Sequence, residues 1–261
     1  MSIQIIKALL LQELYITRRS VEVIIDLFYF AIVNIIVFAL VFTFLSKENP
    51  QAARYLLLGM LLWEIVRITQ YSMSVGSLWN VWSKNLSNMF VTPLSLKEYI
   101  IAYMLSGAIK ASLTFILIAI ISIFVFQFNI FDLGFINLFF FFINLTIFAW
   151  SVGIVILGPI FRYGTRIQAL AWGSIFIFQP LTAMFFPVSV LPDFLQTVAY
   201  FLPATYVFEA ARESLTNPYI NFLSIGIAFG QNIFYFLLSL WFFNIMFRKS
   251  KETGQFAKME G

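Results

Sequence analysis

Long runs of apolar residues, separated by short polar breaks, dominate this chain. Six of the runs reach about 20 residues or more, which an α-helix needs to cross roughly 30 Å of hydrocarbon. The pattern therefore predicts an all-α membrane protein in which residues 1–261 form a single transmembrane domain with six transmembrane helices. The predicted spans are residues 23–45, 54–77, 98–126, 135–160, 167–187 and 221–247.

A further apolar stretch, residues 185–212, is interrupted by Pro187, Pro192 and Pro203. Proline removes a backbone donor and disrupts the preceding helical turn, so no piece of the stretch is long enough to span a bilayer. Broken backbone cannot face hydrocarbon, because nothing there satisfies its polar groups. We therefore predict that segment 188–219, just before the last span, forms a re-entrant helical hairpin.

Residues 1–20 place apolar side chains at helical spacing with polar ones between them. This pattern predicts an amphipathic helix that lies in the membrane interface. The alternative is a plain flanking helix that only anchors the chain. The apolar positions are Ile3, Ile6, Leu10 and Leu14, and the polar ones are Lys7, Gln12, Glu13, Arg18 and Arg19.

Segment 78–95, between the second and third predicted spans, has a similar mixed pattern. It predicts a short amphipathic helix that ends at Thr92, because a residue before proline disfavours helix. Ser95 and Glu98 form a capping box that begins the next helix. The short helix either transmits motion from a soluble partner or only turns the chain. Its apolar positions are Trp79, Trp82, Leu86, Met89 and Phe90, and its polar positions are Ser83, Lys84, Asn85 and Asn88.

Three charged residues, Glu64, Arg67 and Lys110, fall inside predicted spans. A lone Arg or Lys at the centre of a membrane costs about 2.5–3.5 kcal/mol, so each should have a partner. Glu64 and Arg67 are one helical turn apart and can pair, and the depths of Glu64 and Lys110 also allow a contact. One interpretation is a polar lining for a transport path. The favoured one is an ion-pair clamp between spans two and three.

Glu209 and Arg212 stand at helical spacing near the end of the outer segment, after Tyr206. We interpret them as a structural pair, because a catalytic carboxylate would need a second one, such as Asp193 or Glu213, held nearby. Small residues in spans four and six suit close helix packing, and the last two are also a candidate dimer face. These are Gly153, Gly158, Gly226 and Gly230.

Composition narrows the function classes. The chain is 61% hydrophobic and only 11% charged, whereas soluble domains carry about 25% charged residues. Without Cys or His, thiol chemistry, histidine acid–base chemistry and the usual zinc sites are excluded. The basic residues lie at the edges of the spans and not in one patch, which argues against nucleic acid as a partner.

The distribution of Lys and Arg predicts the orientation. With six spans, eleven basic residues fall on the side that holds both termini and three fall on the other side. Both termini are therefore predicted to be cytoplasmic, and segment 188–219 lies on the outer side. The eleven are Lys7, Arg18, Arg19, Lys84, Lys97, Arg162, Arg166, Arg248, Lys249, Lys251 and Lys258, and the three are Lys47, Arg54 and Arg212.

Three features together resemble a known family. They are the amphipathic N-terminal helix, the run W-x-x-N-L-x-N-x-F-x-x-P-L-S from Trp82 to Ser95, and the run P-x-S-x-L-P…L-P-x-T-Y-x-x-E-A-x-R from Pro187 to Arg212. With six spans in this order, the chain is similar to the membrane subunit of ATP-binding-cassette exporters of the type-2 permease class. Members of that class export drugs, lipids and surface polysaccharides.

The resemblance implies a homodimer in a bacterial or archaeal cytoplasmic membrane, surrounded by lipid, with two copies of a separate cytoplasmic ATPase. Residues 82–90 would be the coupling helix that sits in a groove of the ATPase, and the outer run would form short re-entrant helices near the exit. ATP and Mg would bind to the partner and not to this chain, which has no G-x-x-x-x-G-K-[ST] phosphate loop. The implied substrate is a lipid, a hydrophobic drug or a lipid-linked glycan.

Three alternatives remain open at this point. An ion-coupled carrier would need several carboxylates near the midplane, where this chain offers only Glu64, and usually a detectable repeat. A membrane-embedded enzyme would need paired carboxylates or metal ligands at one face. A passive scaffold would not need an exposed helix between spans two and three.

Overall fold

Two long helices, α4 (Pro50–Trp82) and α7 (Phe135–Tyr163), form the centre of a helical bundle. Residues 57–81 of α4 are almost entirely buried, because the first span and helices on three further sides surround them. The computed structural model describes residues 2–217 and 219–252, and within these ranges all regular secondary structure is helical. The remaining helices, in order, are α1 Ile3–Arg19, α2 Val21–Ile24, α3 Phe30–Leu45, α5 Leu86–Val91, α6 Leu96–Phe126, α8 Gln168–Leu181, α9 Asp193–Tyr200, α10 Pro203–Ser214 and α11 Phe222–Glu252.

Four helical stretches in the described residues are long and apolar enough to cross a membrane: Val21–Leu45, Leu96–Phe126, Phe135–Leu181 and Phe222–Glu252. The third contains both α7 and α8, which the 3₁₀ turn Gly164–Ile167 joins. Helix α4 is long enough but carries polar residues in its middle, which a helix enclosed by other helices can tolerate. The count of six spans therefore stays a prediction, although a helix occupies each of the six predicted positions.

The fifth predicted span, 167–187, is wrong at its end, because α8 stops at Leu181. The Thr182 hydroxyl donates to the carbonyl of Phe178, and Ala183 adopts a left-handed backbone with φ 50°. The chain then turns until Pro187. At 14 residues, α8 is roughly 21 Å long, shorter than the hydrocarbon core.

Prolines in the predicted hairpin begin helices and do not interrupt them. Pro192 directly precedes α9, and Pro203 is the first residue of α10, where its missing N–H has no helical partner to lose. Segment 188–219 thus contains a 3₁₀ turn, Val188–Val190, and two short helices. Whether the segment re-enters the membrane stays a prediction.

The single helix predicted across residues 79–90 is wrong. Helix α4 continues to Trp82, the chain then turns at residues 83–85, and α5 begins at Leu86. Lys84 takes a left-handed backbone with φ 53°, which no helix interior accommodates. The capping box is confirmed, since the Ser95 hydroxyl accepts from the Glu98 N–H and the Ser95 N–H donates to the Glu98 carboxylate.

Helix α1 packs against α6, where Ile6, Leu9 and Glu13 are buried. Ile3 and Leu14, two of the predicted apolar positions, are exposed on the protein surface. The polar residue Glu13 therefore belongs to the buried side of the helix. That α1 lies in the membrane interface remains a prediction.

The two ends of the bundle differ in their content. One end holds the start of α1, the turn at residues 83–85, α5, the connection between α7 and α8, and the end of α11, and we call it the basic end. Phe90 of α5 contacts Phe161 of α7 and Phe247 of α11 there. The opposite end, which we call the far end, holds the loops 46–49 and 127–134 and the described residues of segment 182–221.

The far segment contacts α4 through backbone at one point, Gly59, and through the ring of Phe208 on that of Trp63 elsewhere. A Cβ atom placed on Gly59 would lie 2.0 Å from the carbonyl oxygen of Met184, so only glycine permits this approach. In contrast, Gly226 and Gly230 on α11 have no atom within 4 Å of such a Cβ. Gly153 and Gly158 do pack closely, against Met73 and Met246.

We expect Gly59→Ala to destabilise the protein by about 1–3 kcal/mol, because the new methyl group forces the turn away from α4. Gly226→Ala is the matched control. It makes the same change on a helix but meets no neighbour, so stability should stay equal or rise slightly. Thermal unfolding of both variants in the same detergent measures this difference. Equal midpoints for the two variants would contradict the close contact.

Candidate functional site

The turn at residues 83–85 and helix α5 present a small surface at the basic end. Leu86 and Met89 point into the bundle and are buried, so they hold the segment and do not form its surface. Ser83, Lys84 and Asn88 are exposed, as the sequence pattern predicted for its polar positions. Val91 was missed, and it is 87% exposed at the end of α5. The candidate contact surface is therefore Ser83, Lys84, Asn88 and Val91.

Aromatic contacts fix this segment to four helices. The Phe90 ring centroid lies 5.7 Å from that of Tyr99 on α6 and 6.3 Å from those of Phe161 and Phe247. On the other side of the turn, Trp82 stacks on Trp172 of α8 at 5.8 Å. Since Trp82 and Phe90 are embedded in this way, displacement of α5 would move the ends of α4, α7 and α11 and the starts of α6 and α8 with it.

A buried ion pair ties α1 to α6 beside this segment. The Lys110 ammonium nitrogen lies 2.8 Å from the Glu13 carboxylate, and both side chains are largely shielded from solvent. The Ser106 hydroxyl donates to the same oxygen at 3.4 Å. The predicted Glu64–Lys110 contact is therefore wrong, because α1 supplies the carboxylate that Lys110 needs. The two partners are 97 residues apart, and periodicity within one helix gives no signal for such a pair.

Asn80, two residues before the end of α4, connects α4 to α1 and α6. Its side-chain amide donates to Tyr103 and, at 3.3 Å, to Tyr99, both on α6. Its side-chain carbonyl accepts from Gln12 of α1 at 3.2 Å. The backbone N–H of Ser2 also donates to Glu98 at the start of α6. Helix α1 is thus linked to the element that carries the exposed turn.

A second polar cluster lies in the middle of the bundle. The Arg67 guanidinium is 2.6 Å from Glu64, which confirms the predicted local pair. Its other nitrogen donates to the Asp26 carbonyl at 3.2 Å, and the Tyr71 hydroxyl donates to the Asp26 carboxylate at 2.6 Å. Asp26 sits in the π-helical turn Ile25–Tyr29 before α3. The predicted clamp between spans two and three is therefore wrong, since the cluster joins spans one and two.

At the far end, one ion pair organises the chain. The Arg212 guanidinium is 2.7 Å from Glu209, as predicted for a structural pair, and it donates to the carbonyl of Ala183 at 2.9 Å. The same Glu209 oxygen accepts from the Val188 N–H at 2.8 Å. Helix α10 thus holds both ends of the turn that follows α8. Tyr206 contacts the ring of Tyr200 on α9 at 5.6 Å.

Glu213 and Glu209 of this segment each have partners of their own. Glu213 accepts from the Asn221 side-chain amide at 2.7 Å, whereas Glu209 is held by Arg212 and Val188. Each carboxylate bridges neighbouring parts of the chain, which is the structural role that the sequence favoured over catalysis.

These features define the class of protein. Several helices are long and apolar enough to cross a membrane, charged groups within the bundle are paired, and one end presents an exposed turn fixed to the helices. A family model described as ABC-2 type transporter matches residues 4–216, which is most of the chain. The chain belongs to this family, the permeases of type-2 ABC transporters. A comparison with curated proteins finds no match.

Membership of the family decides several points. The chain is a membrane subunit of an ABC transporter, it is a multi-pass membrane protein, and it works with an ATP-binding subunit. Members of the family are not themselves ATPases.

The Glu13–Lys110 pair makes a sharp prediction for stability. Glu13→Gln alone leaves a buried ammonium without a counterion, and Lys110→Gln alone leaves a buried carboxylate, so each should cost about 3–5 kcal/mol. The double variant removes both charges and should recover most of that loss. Lys7→Gln, on the exposed side of α1, is the matched control and should change little.

A double-mutant cycle by thermal unfolding in detergent measures the coupling between the two residues. If the losses from the single variants simply add in the double variant, the pair does not stabilise the attachment of α1.

Proposed function

We propose that this chain is the membrane subunit of an ATP-driven exporter, which moves an amphiphilic substrate out of the cytoplasm or the inner leaflet. In this proposal two copies of the chain form a homodimer, and two copies of a separate ATPase bind ATP and Mg beneath it. Family membership supplies the general class. One observation carries the specific proposal. The turn at residues 83–85 and α5 present an exposed surface, and aromatic residues of the same segment anchor it among the transmembrane helices.

Charge supports the orientation. Lys84, Arg162 and Arg166 lie at the basic end, with Arg248 and Lys249 near the end of α11. The side of a membrane protein that is rich in Lys and Arg faces the cytoplasm. In this orientation α5 faces the compartment that supplies ATP, and segment 182–221 faces outward.

The contacts of α5 support a mechanical role. ATP-driven closure of the ATPases would push on Ser83, Lys84, Asn88 and Val91. The load would pass through Phe90 to α7 and α11, and through Trp82 to Trp172 of α8. Movement of these helices would open a path along the subunit interface towards the outer segment. Residues 82–90 would then act as the coupling element, in two pieces and not as one helix.

The same structure weakens the proposal of an ion-coupled carrier. Asp26 adds a second carboxylate near Glu64, which is a point in favour of an ion-coupled carrier. However, Glu64 is paired with Arg67, and the Asp26 carboxylate accepts from Tyr71. Arg67 and Tyr71 thus tie these two carboxylates into a cluster that joins α4 to the first span, which is a structural role.

We expect Val91→Asp to weaken binding of the ATPase by about tenfold or more, because a charge replaces the apolar member of the docking surface. The fold should survive, since Val91 is exposed. Val190→Asp is the matched control, because Val190 is also an exposed valine but lies at the far end. Co-purification with the ATPase encoded beside this chain, followed by ATP hydrolysis, gives the readout.

Lys84→Glu and Lys97→Glu form a second matched pair at the basic end, where only Lys84 belongs to the docking surface. Equal ATPase binding by Val91→Asp, Lys84→Glu and their controls would show that α5 is not the docking element. Transport direction is then measured in vesicles of defined orientation, with ATP supplied on the side of the basic end. Uptake by a complex whose ATPase faces the outside medium would support export. Movement of substrate towards the ATPase would overturn it.

A further inference from the structure

A cavity of about 580 Å³ lies between α7, α8 and α11. Its walls are almost wholly apolar. Val152 and Val155 come from α7, Ile177 and Phe178 from α8, and Leu238 and Trp241 from α11. Val155, Ile177 and Trp241 of this lining are exposed at the protein surface, so the cavity is open there. The lining residues of α7 and α11 lie in helical stretches that are long and apolar enough to span a membrane.

Geometry explains why the cavity exists. Gln70 and Ser74 of α4 donate to the carbonyl of Ala171 at 3.0 and 3.1 Å, which holds α8 against α4. Helices α7 and α11 pack closely on each other, where Gly158 meets Met246. Helix α8 is too short and too strongly drawn to α4 to fill the remaining space, so a gap stays open between it and this helix pair.

The four hydroxyl groups in the lining all donate hydrogen bonds within the protein. The hydroxyls of Ser151, Ser174 and Ser239 donate to backbone carbonyls of their own helices at 2.7–3.0 Å. The Tyr235 hydroxyl donates to the carbonyl of Phe201 at 2.8 Å. Water needs two to four polar partners to occupy a site, and this lining offers too few. The lining is therefore suited to hydrocarbon.

The size of the cavity restricts its occupant. Pockets of 300–1,000 Å³ hold small molecules, whereas one turn of a helix 10 Å across fills roughly 420 Å³. The cavity could enclose little more than a single turn of a partner helix. Such a helix would have to enter and leave the hydrocarbon region on the same side of the membrane. A thin, flexible alkyl chain meets no such restriction.

The cavity adjoins the far segment. Gln231 of α11 donates to the carbonyl of Tyr200 at 2.8 Å, and Tyr235 donates to the next carbonyl along the chain. These bonds hold the turn between α9 and α10 on α11, and Leu202 of that turn contributes to the cavity wall. An occupant would thus contact the outer segment and three transmembrane helices at once.

We propose that this cavity binds one hydrocarbon chain of an amphiphile, which enters from the lipid between α8 and α11. The chain belongs either to a resident membrane lipid or to the exported molecule. The second source rests on the proposed function, whereas the site itself does not. In both cases the occupant fills the gap beside α8 and stabilises its position.

The probe is a phosphatidylglycerol with a photoreactive diazirine near the end of one acyl chain, added to the complete permease–ATPase complex in nanodiscs. Crosslinks, mapped by peptide mass spectrometry, should concentrate at residues 148–156, 174–178 and 238–242. Val155→Trp fills the cavity and should lower those crosslinks by about tenfold. Leu113→Trp adds similar bulk to an exposed side of α6 and should leave them unchanged. Ile177→Phe, a smaller filling from α8, serves if Val155→Trp does not fold.

ATP distinguishes the two sources. A resident lipid should give the same crosslinks with and without ATP turnover, and Val155→Trp should then shift only the unfolding temperature. An exported chain should be lost from the cavity during turnover, and Val155→Trp should lower transport without lowering ATPase binding. Crosslinks spread evenly over all lipid-facing helices, with no difference between Val155→Trp and Leu113→Trp, would overturn the site. That result would leave the docking test on Val91 unaffected, so the two proposals can fail separately.

Discussion

Hydrogen bonds from several buried polar side chains of α4 to other helices arrange those helices around it. Arg67 binds the first span at Asp26, Gln70 and Ser74 bind α8 at Ala171, and Asn80 binds α6 and α1. An unsatisfied polar group in hydrocarbon costs several kcal/mol, so each of these bonds resists separation of its helix from α4. Helix α4 is less apolar than a simple membrane span because it carries these polar side chains. The same side chains hold the neighbouring helices against it.

The same need for polar partners explains why α1 belongs to the bundle and is more than an anchor. Without Glu13, Lys110 on α6 would be an isolated charge. Without Gln12, the side-chain carbonyl of Asn80 would lose the hydrogen bond that it accepts from α1. Asn80 lies three residues before the turn at residues 83–85, and the Glu13 carboxylate lies beside Gly76 of the same helix. A displacement of α5 would therefore move α1 as well as the transmembrane helices. In the proposed mechanism α1 is part of the unit that moves.

Sequence reasoning succeeded where the partners are local. Glu64 with Arg67, Glu209 with Arg212 and Ser95 with Glu98 each lie three residues apart, and helix geometry alone brings them together. It failed where tertiary structure decides. The Glu13–Lys110 pair joins distant parts of the chain, and the break at Lys84 has no glycine or proline to announce it.

Force applied at the basic end would reach the far end chiefly through α4. Roughly 35 Å of helix separate Trp82 from Gly59 at 1.5 Å per residue. At Gly59 the helix touches the carbonyl of Met184 with no side chain between them, and Arg212 binds the neighbouring carbonyl of Ala183. A backbone contact of this kind cannot absorb a shift by changing rotamer, so a displacement of α4 must move the turn, the Arg212–Glu209 pair, or both. In the proposed mechanism the broken far segment would therefore respond directly to force on α5, which favours a gating role for it over a purely sealing one.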